Sequence, residues 1–525
     1  MPQLSMNLMR RVAVGDFLKR SAVRFPKKTA LVYGDTKWTY SELNQKVNRF
    51  ANAMAHMGVQ KGDKVAIMSH NCPHYLISFL GLSKIGAVIT PLNFALRQKE
   101  IEYIVNHSEA TVFIIEDSLI PVCMEAKLES IKTFVCINLA GSTLPTGILN
   151  FEKLLSDKNS DREPEVLING DDMAALLYTS GTESAPKGVM GTHLNYYSVL
   201  LSAAADVGLR SDDIFLVATP LFHVAALTYQ ALSTIAFGGT VVLIYKLDVD
   251  EIIEQIEKER VTFISLPSTS FIAITQRTKL STKDLSSVRV SLSFGAPIPS
   301  VTMQRCREIM PSATWINYYG MTELAPLGSS NPDSTKPRSI GKSHTPLEIL
   351  IVDDDDNEVP HGQIGEIVVR GPAVMLGYYK DIARTERTFK CGWMHTGDLA
   401  YMDSDGDIYF VDRKKDIIKT GGENVSSQEV ESAIYKYPKV GEAAVIGVFH
   451  PYWMEAVVAV VVPKQNETLT ETEIISHCKD LLSGYKVPKS VIIVDSIPKT
   501  LSGKILKRDL RQNYREIFGT SPVEK

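Results

Sequence analysis

Residues Tyr178–Val189 read YTSGTESAPKGV, the most informative stretch of the chain. It brings hydroxyl side chains, a glycine and a lysine close together, at Thr179, Ser180, Gly181, Thr182 and Lys187. Small residues let backbone N–H groups approach an anion, and the hydroxyls and the lysine add donors and positive charge. The stretch therefore predicts a phosphate-binding loop, with a polar surface loop as the alternative. It is not a Walker A loop, because Pro186 precedes the lysine and Gly188 follows it.

The composition is that of a large globular enzyme. The chain has 525 residues, of which 44% are hydrophobic and 22% are charged. This length exceeds what one hydrophobic core supports, so two or more domains are expected. The net charge of −4 gives no electrostatic argument for nucleic-acid binding. The cysteines form no CxxC pair, which favours neither a disulfide framework nor a zinc site and is typical of the reducing cytoplasm.

The sequence predicts neither a signal peptide nor a transmembrane helix. The first twenty residues lack the apolar stretch and the small-residue cleavage site of a signal peptide. Residues Leu221–Tyr245 contain no Asp, Glu, Lys or Arg, but they include His223, Gln230 and Gly238. This pattern predicts a buried helix, a turn and a core strand rather than a transmembrane span. We therefore expect a cytoplasmic protein.

Helical and strand-like segments alternate through most of the chain. A capping-box pattern, Thr39 to Glu42, opens the first clear helix. Helices are predicted at Thr39–Met57, His74–Ile85 and Val249–Glu259, and strands at Lys64–Met68, Ala87–Thr90 and Thr262–Ser265. Two acidic runs, Asp353–Asp356 and Asp403–Asp407, predict hairpin turns rather than metal sites. The alternation indicates an α/β fold with a large N-terminal domain of parallel-rich sheets flanked by helices.

The last hundred or so residues differ from the rest. The charged run Asp412–Asp416 precedes Gly421 and Gly422. Beyond it the pattern predicts helices at Ser427–Tyr435 and Thr470–Leu482 and strands at Ala443–Val448 and Ala456–Val462. We therefore expect two domains, residues 1–412 and a small mobile α+β domain of residues 413–525, with a hinge near Lys415.

Further candidate groups lie outside the loop. In Tyr318–Glu323, aromatic rings can stack on a purine, the Thr322 hydroxyl can reach a phosphate, and the carboxylate can hold Mg²⁺. Asp398 is suited to accept hydrogen bonds from ribose hydroxyls. The planar guanidinium group of Arg413 could donate several N–H hydrogen bonds to ribose or phosphate. Lys504 follows a flexible turn near the C-terminus. Each of these groups alone has an ordinary structural alternative, such as a core tyrosine pair or a solvated lysine.

Seven segments, taken in this order, resemble the adenylate-forming superfamily, which includes acyl- and aryl-CoA ligases, luciferases and peptide-synthetase adenylation domains. They are YTSGTESAPKGV, PLFHVAAL at Pro220–Leu227, FGAPIP at Phe294–Pro299, NYYGMTE at Asn317–Glu323, HTGD at His395–Asp398, DRKKDIIKTGGENV at Asp412–Val425, and PKTLSGKILKR at Pro498–Arg508. The resemblance covers nearly the whole chain and is nearest to acyl-CoA synthetases of fatty or aryl acids. Many relatives have Thr-Gly where this chain has Glu183-Ser184.

The resemblance implies a first half-reaction that joins a carboxylic acid to the α-phosphate of ATP and releases pyrophosphate. Lys504 matches the catalytic lysine that bridges the carboxylate and the α-phosphate. Glu323, with the Thr179 hydroxyl, would hold Mg²⁺. The remaining nucleotide contacts would come from the loop residues Thr179, Ser180, Gly181, Thr182 and Lys187, from Gly295, Ala296, Pro297, Asn317, Tyr318, Tyr319, Gly320 and Thr322, and from Asp398 and Arg413.

The second half-reaction would transfer the acyl group to coenzyme A after rotation of the small domain. The pivot falls at Lys415, and the segment with Lys419, Gly421 and Gly422 would then face the adenylate and let pantetheine pass close to the backbone. His223 matches an aromatic gate between the acyl pocket and the thiol tunnel. A hydrogen-bonded core histidine is the alternative for this residue.

The acid substrate is the least determined part of the prediction. Amino-acid-activating relatives have Phe-Asp where this chain has Phe222-His223, and that aspartate pairs with the buried ammonium group of the substrate. Its absence here argues against an amino acid as the substrate. Acetate-activating relatives have tryptophan at Gly320, so the glycine is expected to leave room for a longer chain or a ring. We expect a medium- or long-chain fatty acid first and an aryl acid (benzoate- or coumarate-like) second.

Other functions stay open from the sequence. Within the family, the alternatives are an acyl-carrier-protein ligase and luciferase-type oxygenation. From other classes come a catalytically silent nucleotide-binding protein and a phosphotransferase, which would release ADP or phosphate instead of AMP and pyrophosphate. The expected partners are the acid, ATP and CoA, and a homodimer is kept as one option for the oligomeric state.

Overall fold

The computed structural model describes residues 3–156, 160–179, 186–295, 298, 300–332, 335–336, 338–499 and 505–519. The chain divides into two compact units, Met1–Glu348 with Arg370–Met394, and Ile349–Val369 with His395–Lys525. The predicted domain boundary between residues 412 and 413, with its hinge near Lys415, stays a prediction.

Two large sheets, described here over the part of the chain that the structure covers, form the framework of the first unit. The nine-stranded sheet runs Lys342–Ser343, Gly328–Asn331, Thr314–Gly320, Val290–Phe294, Phe263–Pro267, Ile214–Val217, Thr240–Leu243, Thr29–Tyr33 and Thr36–Thr39. Its six central strands, from Thr314–Gly320 to Thr29–Tyr33, are parallel and its edges are antiparallel. Parallel strands need helical crossovers, which explains the alternation in the sequence.

The seven-stranded sheet runs Ile148–Asn150, Thr133–Ile137, Val112–Glu116, Lys64–Met68, Val88–Leu92, Met173–Thr179 and Lys187–Thr192. Its strands are parallel except for the last pair, which is antiparallel. This last pair flanks the predicted phosphate loop on both sides. The sheet therefore fixes both ends of that loop.

Helices cover both sheets. In the first unit they are Gln3–Arg10, Asp16–Arg24, Tyr40–His56, Pro73–Ile85, Gln98–Ser108, Ile120–Met124, Phe151–Leu154, His193–Ala205, Ala225–Leu232 with π geometry, Ser233–Phe237, Val249–Glu259, Ser268–Thr275, Ser300–Ile309 and Ile382–Thr388. The described residues also form 3₁₀ turns at Asp117–Leu119, Thr278–Thr282 and Thr322–Leu324. Buried aliphatic side chains of the helices and strands form the cores between these layers.

Two five-stranded sheets complete the described fold, and the second of them belongs to an α+β unit near the C-terminus. One five-stranded sheet is built from Glu348–Val352, Gly365–Arg370, Phe389–Lys390, Trp393–Met402 and Ile408–Arg413. The other comprises Ile418–Thr420, Glu423–Val425, Val440–His450, Met454–Pro463 and Ser490–Ile493. Helices Ser427–Ile434 and Glu471–Leu481 pack in one core of this second sheet, and Lys507–Tyr514 packs in another.

The predicted elements agree with these bounds to within a few residues. The Thr39 capping box is formed, since the Thr39 hydroxyl accepts from the Glu42 backbone N–H while the Glu42 carboxylate accepts from the Thr39 N–H. The same reciprocal pair joins Thr470 and Glu473. The α/β fold class with a small C-terminal α+β unit is therefore confirmed.

The apolar stretch Leu221–Tyr245 also folds as predicted. Two consecutive helices end at Gly238, whose φ of 86° lies in the left-handed region, and the strand Thr240–Leu243 follows. None of the described helices is long and apolar enough to cross a membrane.

Both acidic runs are hairpin turns, as predicted. The Asp353 carboxylate accepts from the backbone N–H groups of Asp355 and Asn357, each at 2.9 Å. Asp403 accepts in the same way from Asp405 and Asp407 at 3.0 and 2.9 Å. The carboxylate oxygens of Asp403, Asp405 and Asp407 lie within 4.8 Å of one another. The turn geometry accounts for this spacing, because each first aspartate satisfies backbone donors of its own turn.

Candidate active site

Lys187, Glu323 and Tyr378 form a hydrogen-bonded triad in the first unit. The Lys187 Nζ donates to Glu323 Oε1 and to the Tyr378 hydroxyl oxygen, each at 2.8 Å. The Tyr378 hydroxyl donates to the same Glu323 oxygen at 3.0 Å, and the Lys187 Nζ lies 4.5 Å from the centre of the Tyr378 ring. Two residues predicted to bind the triphosphate and its metal thus touch each other. Tyr378 is a third member that the sequence analysis missed.

The backbone explains this arrangement. Lys187 opens the strand Lys187–Thr192, and the segment with Tyr378 runs beside that strand, with Tyr379 N–H donating to Gly188 O at 2.8 Å. Glu323 lies on the 3₁₀ turn Thr322–Leu324, and its carbonyl accepts from Met375 N–H at 3.0 Å. Main-chain hydrogen bonds therefore join three chain segments that are remote in sequence. These bonds place the three side chains next to one another.

Glu323 is held as a carboxylate. Its side chain is buried, with 7% of its surface exposed. Burial alone would raise the pKa of this carboxyl, but the Lys187 ammonium and the hydrogen bonds from Lys187 and Tyr378 outweigh it and hold the pKa below its ordinary value. Burial and the neighbouring Glu323 charge raise the pKa of the Tyr378 phenol, so Tyr378 stays protonated and remains a donor.

Thr179 supplies a second oxygen beside this triad. It ends the strand Met173–Thr179 and is directly paired with Lys187 across the antiparallel ladder. Its Oγ1 is buried and has no hydrogen-bond partner within the described part of the chain. A buried polar atom without a partner is unusual and calls for a ligand or water. A carboxylate and a hydroxyl are oxygen ligands of the kind that Mg²⁺ prefers, so Glu323 and Thr179 fit the predicted metal.

The rest of the phosphate loop cannot be compared with the prediction. Ser180, Gly181 and Thr182 lie outside the described residues, as does the Glu183-Ser184 pair. The same holds for Ala296 and Pro297 beside Gly295, and for the predicted catalytic residue Lys504. Gly295 itself has a φ of 91°, a left-handed conformation that favours glycine directly after the strand Val290–Phe294.

The strand Thr314–Gly320 carries the predicted adenine contacts. Asn317 donates through Nδ2 to the carbonyl of Ser339 at 3.3 Å. Tyr319 is partly exposed whereas Tyr318 is buried, because consecutive strand residues point to opposite faces of the sheet. Thr322 follows on the 3₁₀ turn with Glu323. The nucleotide contacts of these residues stay predictions.

Gly320 has a structural reason that the sequence analysis did not recognise. We expected the glycine to leave open space for a longer acid, but a Cβ atom at this position would lie 1.7 Å from the carbonyl oxygen of Pro326. That distance is far below van der Waals contact with a backbone atom that cannot move aside. Close backbone packing therefore gives a reason for the glycine, and the room for a longer chain or a ring stays a prediction.

Replacing Gly320 with alanine is expected to lower the free energy of unfolding by about 3 kcal/mol, the upper range for overpacking. Denaturant unfolding measures this loss. The matched control is Gly170→Ala, where a Cβ would meet Leu194 Cβ at an ordinary 3.5 Å and stability should hardly change. Equal stability of the two variants would contradict the explanation.

Asp398 and Arg413, the predicted ribose contacts, are neighbours in the second unit. They are paired residues on the antiparallel strands Trp393–Met402 and Ile408–Arg413, and Arg413 Nε lies 3.5 Å from Asp398 Oδ1. Asp398 is buried. The sequence placed these two residues fifteen positions apart, and the hairpin brings them together. Their contact with a ribose stays a prediction.

The predicted hinge lies in a turn directly after that hairpin. The backbone N–H groups of Asp416 and Ile417 donate to the Arg413 carbonyl at 2.8 and 3.2 Å, which curls the chain around Lys415. One residue before the arginine, the buried Asp412 carboxylate accepts from the Ser427 N–H and hydroxyl, each at 2.6 Å. It thereby caps the helix Ser427–Ile434 at its positive end.

The glycine pair of the segment predicted to face CoA forms a tight turn. Gly421 and Gly422 have φ values of 57° and 87° and join the paired strands Ile418–Thr420 and Glu423–Val425. A two-residue turn with positive φ at both positions strongly favours glycine. Lys419 lies on the first of these strands, where its N–H donates to a Glu455 carboxylate oxygen at 2.7 Å. The CoA contacts of this segment stay predictions.

His223 lies at the start of the helix Ala225–Leu232, and its carbonyl accepts from the Leu227 N–H at 3.1 Å. Burial lowers the pKa of its imidazole to about 4, so the ring is neutral at ordinary pH. The ring of Phe222 lies 4.3 Å from it, and Phe94 meets Phe222 edge-on at 5.5 Å. A neutral ring among aromatic neighbours suits a wall or a gate better than a charged ligand.

The comparisons with known proteins identify the family. The family model "AMP-binding enzyme" matches residues 18–379, and "AMP-binding enzyme C-terminal domain" matches residues 429–504. A feruloyl-CoA synthase of Amycolatopsis sp is 37% identical over 511 residues, which cover 96% of this chain and 100% of that protein. A crotonobetaine/carnitine–CoA ligase of Salmonella typhi is 32% identical, with 92% and 96% covered.

Among solved structures, the anthranilate CoA ligase AuaEII in complex with anthranoyl-AMP has a TM-score of 0.88 at 28% identity, covering 95% of this chain and 97% of that one. Two family models and full-length relatives therefore agree with the resemblance drawn from the seven motifs. The chain belongs to the AMP-binding, adenylate-forming enzyme family and is an acyl-CoA ligase that uses ATP, Mg²⁺ and CoA.

Proposed function

We propose that the acid activated by this ligase is an aryl acid of the phenylpropenoic type. The carrying observation is the group of aromatic rings at His223, where the Phe222 ring is tilted by 40° against the imidazole and the Phe94 ring meets Phe222 edge-on. Flat rings bind flat substrates by offset or edge-to-face stacking, at a gain beyond the buried area. The relative named feruloyl-CoA synthase supports the same substrate class.

The depth of the site supports an acid of limited length. The helix that begins just after His223 carries Tyr229, which packs against Tyr318 with ring centres 5.1 Å apart. Both side chains are buried. A long saturated chain that followed this helix would meet two rings that carry hydroxyl groups. The medium- or long-chain fatty acid that the sequence analysis placed first is therefore placed second here.

The residues of the site would have separate roles in the first half-reaction. The acid carboxylate attacks the α-phosphate of ATP, the bond to the β-phosphate breaks, and pyrophosphate leaves. Glu323 and Thr179 would hold Mg²⁺, which when bound neutralises charge on the leaving phosphates. Lys187 would bind the same phosphates, and Tyr378 would orient the ammonium group of this lysine. Lys504, by resemblance, would neutralise charge between the two reacting anions.

In the second half-reaction the CoA thiol attacks the acyl carbon and AMP leaves. His223, neutral and flanked by Phe222, would line the path by which the thiol arrives. Asp398 and Arg413 would keep hold of the ribose, and Gly421 with Gly422 would let pantetheine pass close to the backbone. The cytoplasmic location and the homodimer stay predictions.

A panel of acids tests the proposal. We expect the kcat/KM for CoA-thioester formation to be highest for 4-coumarate or ferulate, lower for benzoate and lowest for octanoate and palmitate. Pyrophosphate release without CoA distinguishes a working ligase from a silent nucleotide-binding protein. Replacing CoA with an acyl-carrier protein tests that rival acceptor. A saturated fatty acid at the top of the panel would overturn the aryl-acid assignment.

A further inference from the structure

Three buried side chains with polar ends pack against one another near the helix that starts after His223. Tyr229 comes from that helix, Tyr318 from the strand Thr314–Gly320, and His344 directly follows the strand Lys342–Ser343. The ring of Tyr318 lies 5.1 Å from the ring of Tyr229 and 5.1 Å from that of His344. We call these three residues the polar end cluster.

The protonation of His344 follows from its surroundings. Burial lowers the pKa of this imidazole to about 4, although the nearby Asp206 opposes the shift, so the ring is neutral at ordinary pH. The Gly328 N–H donates to its Nδ1 at 3.2 Å, so Nδ1 is the acceptor. In a neutral imidazole the other nitrogen then carries the proton. His344 therefore presents Nε2–H as a donor.

Three polar atoms of the cluster are left without a partner. The Nε2 of His344 and the hydroxyls of Tyr318 and Tyr229 are buried and make no hydrogen bond within the residues that the structure describes. Leaving a buried donor unpaired is unfavourable, and native structures rarely do so without a ligand or an ordered water at the site. Asp206 does not fill this role, since its carboxylate accepts from the Thr345 N–H and hydroxyl and from none of these three atoms.

The Tyr229 member of the cluster lies within two helical turns of His223 along the chain. Tyr229 follows His223 by six residues, so the helix separates them by at most about 9 Å along its axis. That span is comparable with the distance from the acid end to the para position of a phenylpropenoic acid. Tyr318 points to the opposite face of the strand from Tyr319, which the resemblance assigns to adenine.

We infer that Tyr318 and His344 bind a ring hydroxyl of the acid substrate, an inference that rests on the proposed function. A hydroxyl can accept from His344 Nε2–H and share a hydrogen bond with the Tyr318 hydroxyl, which satisfies two of the three unpaired atoms at once. The methyl end of a fatty acid would satisfy neither. A quaternary ammonium group could stack on the tyrosine rings but accepts no hydrogen bond, so it would leave the Nε2 donor unpaired.

The test compares 4-hydroxycinnamate with cinnamate, which differ only in the hydroxyl. The wild-type enzyme should favour the hydroxylated acid in kcat/KM by about tenfold or more, the factor for one buried hydrogen bond. Tyr318→Phe and His344→Asn should each bring this ratio close to one. The asparagine keeps an acceptor for the Gly328 N–H and removes the Nε2 donor. Tyr75→Phe, which removes a buried unpartnered hydroxyl elsewhere in the first unit, should leave the ratio unchanged.

The outcomes separate this inference from the proposed function. A wild-type ratio near one, or a ratio that survives in a folded Tyr318→Phe or His344→Asn variant, overturns the hydroxyl contact while the aryl-acid assignment stands. A wild-type enzyme that uses octanoate or crotonobetaine and no cinnamate overturns the aryl-acid assignment itself. If one of the two variants fails to fold, as judged by thermal unfolding, the other and the wild-type ratio still decide.

Discussion

Replacing Glu323 with glutamine is expected to lower pyrophosphate release from ATP and acid by about 10²–10³-fold, the scale for losing one preorganised charge stabiliser. The amide keeps the size of the side chain but removes the negative charge that would hold Mg²⁺. It also leaves the Lys187 ammonium, 24% exposed, without its carboxylate partner. The measurement is the adenylation rate as a function of Mg²⁺ concentration, where the variant should need more metal to reach its lower maximum.

The matched control is Tyr378→Phe. This change removes the hydroxyl that bonds both Lys187 and Glu323 and keeps the ring beneath the lysine. One neutral hydrogen bond contributes about 0.5–1.5 kcal/mol, so the expected loss is about 2–10-fold. Both variants should unfold at nearly the wild-type temperature. A Glu323→Gln enzyme with wild-type Mg²⁺ dependence would remove this residue from the metal site.

Much of the fold could be predicted because its signals are local. A capping box joins residues only three positions apart, so the helices after Thr39 and Thr470 could be located from the sequence. Runs such as Lys64–Met68 predicted buried strands, and their alternation with helices predicted parallel sheets. The boundaries shifted by a few residues where a strand continued into a segment with weaker hydrophobicity, as at Val440–His450.

Long-range contacts could not be predicted in this way. Tyr378 is 191 residues from Lys187 and 55 from Glu323, and no short pattern around it signals that it bonds both. The backbone pairing of its segment with the strand Lys187–Thr192 creates the contact. The sequence Gly377-Tyr378-Tyr379 is typical of an ordinary turn.

The structural roles of Gly320 and His344 also could not be predicted from the sequence, although the residues that they contact lie close in the chain. The sequence explained Gly320 by a neighbouring substrate, whereas the Pro326 carbonyl occupies the position of a side chain. His344 drew no attention, because its role depends on the N–H of Gly328 in an adjacent strand. Residue types indicated chemistry along the chain, but the burial and the tautomer of a histidine follow only from its packed neighbours.

Proline at Lys415 is expected to separate the two half-reactions. Proline fixes φ near −65° and also restricts the residue before it, so the turn around Arg413–Ile417 should be confined to one backbone conformation. Acyl-adenylate formation should persist, because it needs no rotation of the small domain in the mechanism that the family resemblance implies. Transfer from pre-made acyl-adenylate to CoA should fall by about 10²-fold or more, since small misplacements of reacting groups cost that much.

Two further variants make the interpretation specific. Lys415→Ala removes the side chain and leaves the backbone free, so both half-reactions should stay near the wild-type rates. Lys504→Ala should give the opposite separation, with slow adenylation and largely intact transfer, because the resemblance assigns this lysine to the first step alone. A Lys415→Pro enzyme that loses both steps equally, or that loses ATP binding, would show a damaged fold rather than a blocked hinge. Equal transfer rates in the proline and alanine variants would place the pivot elsewhere in the chain.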